Sequence, residues 1–157
     1  MNLSMTAEYA LRAVAYLSGL DEGARLGAQA LAAQTEIPPA YLSKIMRRLV
    51  VAELVDSQKG HGGGFTLTRP PEAITFAEVL TAVEPDLDPE RCAFGWEACD
   101  PDQPCPLHPA YSAFKESMQE WAEGTTFASA ATPPPVRRGR KKAAKKKAAK
   151  GRARRLA

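Results

Sequence analysis

Four glycines in the five residues 60–64 follow a helix-like stretch opened by Pro38-Pro39, and this pairing restricts the fold more than any other feature of the chain. Glycine loses the most backbone freedom on ordering, so Lys59-Gly-His-Gly-Gly-Gly64 does not sit in a helix. It suits a hairpin tip whose backbone takes positive φ and comes close to a partner. Two β-like stretches, residues 54–58 and 65–68, flank it. Ahead of it, proline opens a helix without loss, because the first-turn N–H has no intrahelical acceptor. The helix expected over residues 39–53 buries Leu42, Ile45, Met46 and Leu49 and turns Ala40, Ser43, Lys44, Arg47 and Arg48 to other faces. A short helix at 26–34, opened by Gly27, precedes it. Short helix, turn, helix with a cationic outer side, then hairpin is the order of a winged helix-turn-helix.

The rest of the chain is mainly helical. Residues 4–20 place Ala10, Ala13, Val14 and Leu17 on one face, and Gly19 suits the exit. Thr75-Phe-Ala-Glu78 spells a capping box opening a helix whose apolar set is Phe76, Val79, Leu80 and Val83. The acidic stretch Glu84–Glu90 leads into a cysteine loop. Beyond Pro109 a last helix carries Tyr111, Phe114, Met118 and Trp121, whose spacing makes a seam of large apolar side chains. The expected organisation is a DNA-binding unit over residues 1–85, a cysteine-rich loop over 86–108, a helix over 109–130 and a disordered tail over 131–157. The fold class is mainly α with a small β-wing.

Charge divides the chain in two. Of 21 basic residues, 12 lie in 136–157 with no acidic neighbour, leaving 9 basic against 18 acidic in residues 1–135, a net of −9. A polycationic segment displaces counterions from nucleic acid without reading sequence. Its alternatives are a solvated tail or one that holds the acidic body. A nucleoid-type architectural protein acting mainly through this tail is therefore one function to weigh. No run of 18 apolar residues and no basic-then-apolar start occurs, so a cytoplasmic, nucleoid-associated protein without membrane contact is expected. His61 and His108 are the only histidines, and no phosphate-binding loop, dinucleotide fingerprint or Ser/His/Asp order appears, so an enzyme is not expected.

Double-stranded DNA is the expected partner. Tyr41, Ser43, Lys44, Arg47 and Arg48 on the third helix are candidates for base or phosphate contact in the major groove. Lys59, His61 and Gly62 at the wing tip are candidates for the backbone or an adjacent minor groove. Each feature alone also fits a solvated helix face and a plain hairpin; their order favours DNA.

Cys92, Cys99 and Cys105 fall within 14 residues, separated by six and five, and His108 follows Cys105 after two more. An odd number of close cysteines argues against a disulfide framework and for a metal or redox site. Thiolates are soft iron ligands, and imidazole completes a four-ligand set. Spacing leaves three readings open: an iron–sulfur cluster, structural zinc through three Cys and one His, or free thiols that sense oxidants.

The stretches MTAEYALRAVAYL, IPPAYLSKIMRRLVVAELV and KGHGGGFTLTRPPEAITFAEVLTAVE, with a cysteine loop ending in CPLH, resemble the IscR/NsrR family of bacterial regulators over residues 1–128. The resemblance implies a homodimeric winged-helix transcription regulator, most often a repressor, with the last helix as the dimer seam. It implies a [2Fe–2S] or [4Fe–4S] cluster answering to iron, nitric oxide or redox state. The ligands would be Cys92, Cys99 and Cys105, with His108 or Glu8 as the fourth; Glu8 occupies the position that supplies a carboxylate in some relatives.

Overall fold

The computed structural model describes residues 3–84, 94 and 104–129. Cys92, Cys99 and the tail expected beyond residue 131 lie outside the described residues. Among the described residues five α-helices and one two-stranded antiparallel sheet run in the order α1 Met5–Ser18, α2 Ala28–Thr35, α3 Pro39–Val51, β1 Val55–Gln58, β2 Gly64–Leu67, α4 Phe76–Val83 and α5 His108–Gly124. The class expected from sequence is the one found; most boundaries move by one or two residues, but the last helix, expected over 109–130, ends at Gly124, where the chain turns through Thr125 to bury Phe127.

α1 packs against α2, α3, α4 and β2. Ala7, Ala10 and Ala13 are fully buried along it, and their small side chains let neighbouring helices approach its backbone. Ser4 caps the helix, its hydroxyl accepting from the Ala7 amide at 3.1 Å. Gly19 does close it, with φ at −88° rather than in the left-handed region. α3 buries the four side chains expected, Leu42, Ile45, Met46 and Leu49. Each contributes roughly 1.5–3 kcal/mol by leaving water. α2 starts at Gly27 with no side-chain cap, so tertiary packing of Leu31 and Ala32 holds it in place.

The link between α2 and α3 turns on a residue that is not glycine. Glu36 takes the left-handed conformation at φ 53°, and its amide donates to the Ala32 carbonyl. Ile37 follows, 2% exposed, and pins the turn into the core. Such a backbone is strained for a residue with a Cβ, and the buried Ile37 holds it.

In the wing, Val55 faces Leu67, Asp56 faces Thr66, Ser57 faces Phe65 and Gln58 faces Gly64. The hairpin is tied back to the helices by an isolated bridge, Leu26 and Phe65 exchanging amide–carbonyl bonds of 3.0 and 2.9 Å. Gly64 is required where this bridge forms. A Cβ there would lie 2.6 Å from the Leu26 carbonyl group, and φ is +154°.

The capping box of α4 is present in both arms. Thr75 Oγ1 accepts from the Glu78 amide at 3.3 Å, and Glu78 Oε2 accepts from the Thr75 amide at 2.8 Å. After α5 the chain returns to this same place. The Phe76 amide donates to the Thr125 carbonyl at 2.9 Å, and the Phe127 amide to the Ile74 carbonyl at 3.1 Å. Phe127 is fully buried among the winged-helix core residues. α5 is thereby fastened to α4, with Ala122 closing a small apolar cluster with Ala7 and Leu80.

Candidate nucleic-acid interface and cysteine site

Burial of one side of α3 leaves Ala40, Tyr41, Ser43, Lys44, Arg47 and Val51 exposed. Positions 40, 44, 47 and 51 follow one another at three- and four-residue intervals, so they share a face. Lys44 and Arg47 pair with none of the described residues and point into solvent as a cationic stripe. Tyr41 is 52% exposed. Its ring meets Tyr9 edge-on at 6.1 Å. The Arg12 guanidinium stands over the Tyr9 ring, 5.4 Å from its centroid. Arg12 also donates to the Thr35 carbonyl at 3.2 Å, so α1 braces the end of α2 and the start of the recognition helix together. The Ser43 hydroxyl donates to the Pro39 carbonyl at 2.9 Å, which leaves its lone pairs outward as acceptors.

Arg48, unlike Lys44 and Arg47, is engaged within the fold. Its guanidinium donates to the Val83 carbonyl at 2.5 Å, at the C-terminus of α4. A cation on the last carbonyls of a helix satisfies an orphan acceptor and complements the helix dipole. The residue thus joins α3 to α4 where the cysteine loop departs.

At the wing tip Lys59, His61 and Gly62 are all exposed. Gly60 and Gly62 carry φ of 98° and 77°, and the Gly63 amide donates to the Gly60 carbonyl at 3.0 Å. The turn presents lysine and imidazole at the end of a narrow hairpin. At its base Arg25 and Asp56 pair at 2.7 Å, and this hydrogen bond holds the Asp56 carboxyl below its ordinary range.

Of the five expected ligands, Cys105, His108 and Glu8 lie among the described residues. Cys105 is a free, half-buried thiol, and its carbonyl accepts from the His108 amide at 2.9 Å, so one turn separates them at the start of α5. Glu8 is exposed in the first turn of α1. Among the described residues no three His, Cys, Asp or Glu side chains gather into a metal site. A thiol and an imidazole are donor types that iron and zinc accept.

The apolar seam expected on α5 is there and is used in part within the chain. Trp121 packs edge-on against Phe76 at 5.6 Å. Phe114 and Trp121 remain 40% and 45% exposed, an uncovered apolar strip on a helix otherwise polar outside. Sequence reasoning missed three positions that shape the site: Leu26, Glu36 and Phe127. Phe127 carried a weak signal as a large apolar residue among small and polar ones, while Leu26 falls within the helix expected over 26–34. Glu36 carried none.

A helix-turn-helix with an exposed cationic helix, closed by a glycine-tipped wing, defines a winged-helix DNA-binding transcription regulator. The chain belongs to the Rrf2 family, whose model, described as an iron-dependent transcriptional regulator, matches residues 3–133. Members of this family are transcription regulators and not enzymes. The chain is 32% identical over 128 residues to a putative HTH-type transcriptional regulator of Aquifex aeolicus, covering 80% of this chain and 88% of the relative. It is 34% identical over 89 residues to the HTH-type transcriptional regulator IscR of Sodalis glossinidius, covering 57% of this chain and 53% of the relative. Among solved structures it is similar to CymR, the global cysteine regulator of B. subtilis, with a TM-score of 0.71 at 20% identity, covering 85% and 98% of the two chains. It is likewise similar to T. potens IscR, with a TM-score of 0.66 at 20% identity, covering 82% and 84%. Among the described residues no helix is long and apolar enough to cross a membrane.

Proposed function

We propose that the chain is a homodimeric repressor that reads its operator with α3 and the wing and senses iron, nitric oxide or redox state through an iron–sulfur cluster held in the loop before α5. The carrying observation is one unbroken set of contacts. Cys105 and His108 stand at the start of α5. α5 is fastened to α4 by Trp121 and Phe127 on Phe76. The end of α4 holds Arg48 of α3. A change in the loop therefore bears on the helix that enters the groove.

Cys92, Cys99 and Cys105 would hold the cluster as thiolates, with His108 or Glu8 as the fourth ligand. The bound group would supply a charge that changes with redox state or with damage by nitric oxide. The protein's own part is to orient Cys105 on α5 and to pass strain to α4. Lys44, Arg47, Lys59 and His61 fix the register on phosphates, while Tyr41, Ser43 and the Gly62 backbone meet base or sugar edges. Two copies pack by the strip around Phe114. For coupling of this kind about 1–3 kcal/mol separates the two states in operator affinity.

A second reading has its own support. The fold is similar to that of a regulator named for cysteine, CymR, and Cys105 is a free thiol. In that reading the thiols or a zinc ion act without a cluster. One measurement decides between them. Protein purified without oxygen is expected to absorb visibly and to contain iron and sulfide in equal amounts. Colourless protein with zinc or with no metal sinks the cluster and leaves the thiol reading standing.

A further inference from the structure

Eight Lys and Arg side chains lie among the described residues. Four of them are committed inside the fold. Arg12 donates to the Thr35 carbonyl and Arg48 to the Val83 carbonyl. Arg25 pairs with Asp56, and Arg69 with Glu78, each at 2.7 Å. Lys115 stands over the Tyr111 ring on α5. Only Lys44, Arg47 and Lys59 remain for phosphates on the reading face. These three belong to a body whose net charge through residue 135 is −9. A body so acidic is repelled by a polyanion, and three contacts per chain are a weak counterweight.

The missing positive charge is present in the sequence. Residues 136–157 carry 12 Lys and Arg and no acidic residue, and they lie beyond the family match, which ends at residue 133. We infer that residues 136–157 form a DNA-backbone-binding extension that grips duplex phosphates beside the operator and supplies most of the chain's charge neutralisation. Recognition is by charge density, since the segment has no amide, hydroxyl, carboxylate or aromatic side chain beside its cations, and Lys and Arg are the usual partners of phosphate. Duplex DNA is favoured over other polyanions because α3 and the wing already hold the chain on a duplex, which raises the tail's local concentration there. Twenty-two residues reach at most about 75 Å, enough to follow the backbone well past the body. The extension adds affinity and non-specific search without altering which sequence is preferred.

This inference rests on the DNA-binding class alone and is indifferent to what the cysteines hold. The test is binding of the full-length chain to a mixed-sequence duplex of about 40 base pairs across about 50–200 mM salt. Wild type is compared with a variant carrying Gln at each of the 12 cationic positions from 137 to 155, and with one in which the six tail lysines become Arg. Each engaged cation contributes about −0.9 to the logarithmic salt slope. The Gln variant should keep a slope of about −3 per chain from the reading face, and wild type should be steeper by at least about 5. Affinity near 100 mM should fall at least about 100-fold in the Gln variant and stay unchanged in the Arg variant. A Gln variant that binds as wild type does overturns the inference. One that binds more tightly shows that the tail covers its own acidic body. Single-stranded RNA displacing the duplex from wild type at equal nucleotide concentration reassigns the partner. Should the Gln variant melt early, the wild-type slope still decides: a value no steeper than about −3 per chain refutes the extension.

Discussion

Replacing Arg48 by Met separates two roles that its position on α3 allows. Methionine keeps the length and the apolar stem, so packing along the helix is preserved while the guanidinium goes. The lost contact is a charge-assisted hydrogen bond of 2.5 Å to the Val83 carbonyl. Such bonds contribute about 1.5–3 kcal/mol, and a cation at a helix C-terminus about 0.3–1 kcal/mol. Arg48 is exposed, so water replaces part of what is lost, and about 1–1.5 kcal/mol of stability should disappear. In a body of this size that is a fall in Tm of about 3–6 °C, read by circular dichroism. The salt slope for duplex binding should not move. Arg47→Gln is the counterpart: it should leave Tm within about 1 °C and lower the slope by about 0.9 per chain. If Arg48→Met instead leaves Tm unchanged and flattens the slope as Arg47→Gln does, Arg48 is a phosphate contact and the α3–α4 link is decorative.

Other expectations can be checked by the same methods. Phe127→Ala empties a fully buried site against Phe76 and should cost about 3–5 kcal/mol in urea unfolding; a loss under about 1 kcal/mol would place Phe127 outside the core. Gly64→Ala sets a Cβ 2.6 Å from the Leu26 backbone and should cost about 1–3 kcal/mol while weakening duplex binding, and an unchanged variant would mean the wing is not tied at Leu26. Glu78→Ala removes one arm of the capping box and should cost about 1 kcal/mol at neutral pH. Burial pushes the Glu78 carboxyl up, but the Thr75 amide and Arg69 outweigh it and hold it below its ordinary 4.5. A carboxyl held low in the folded state stabilises above its unfolded value and loses that effect as pH falls. The gap between Glu78→Ala and wild type should therefore narrow below about pH 4.5, and a gap that widens toward acid would contradict the assignment.

What the sequence made legible was whatever repeats locally. α3 could be read because its buried positions recur at helical spacing behind a proline, and α4 because Thr75 and Glu78 form a motif that closes on itself. The wing was visible because four glycines exclude other structures. What stayed hidden depends on single residues with distant partners. Leu26 looks like the start of a helix until Phe65 pairs with it. Phe127 looks like the end of one until Ile74 accepts its amide. Arg48 looks like its neighbours Lys44 and Arg47, and only the arrival of α4 beside it sets it apart. The class of protein was therefore open to reading, while the links from α5 to α4 and from α4 to α3 needed the folded structure.

The return of the chain at Thr126 also fixes how α5 can move. A helix of 17 residues is about 25 Å long. One extremity is clamped by Phe127 and Trp121; the other begins at His108, just past Cys105. Such a rod behaves as a lever on a fixed pivot. Five degrees of tilt about the clamp would sweep the cysteine end through about 2 Å, so a displacement of that size at Cys105 reaches the clamp as a rotation of only a few degrees.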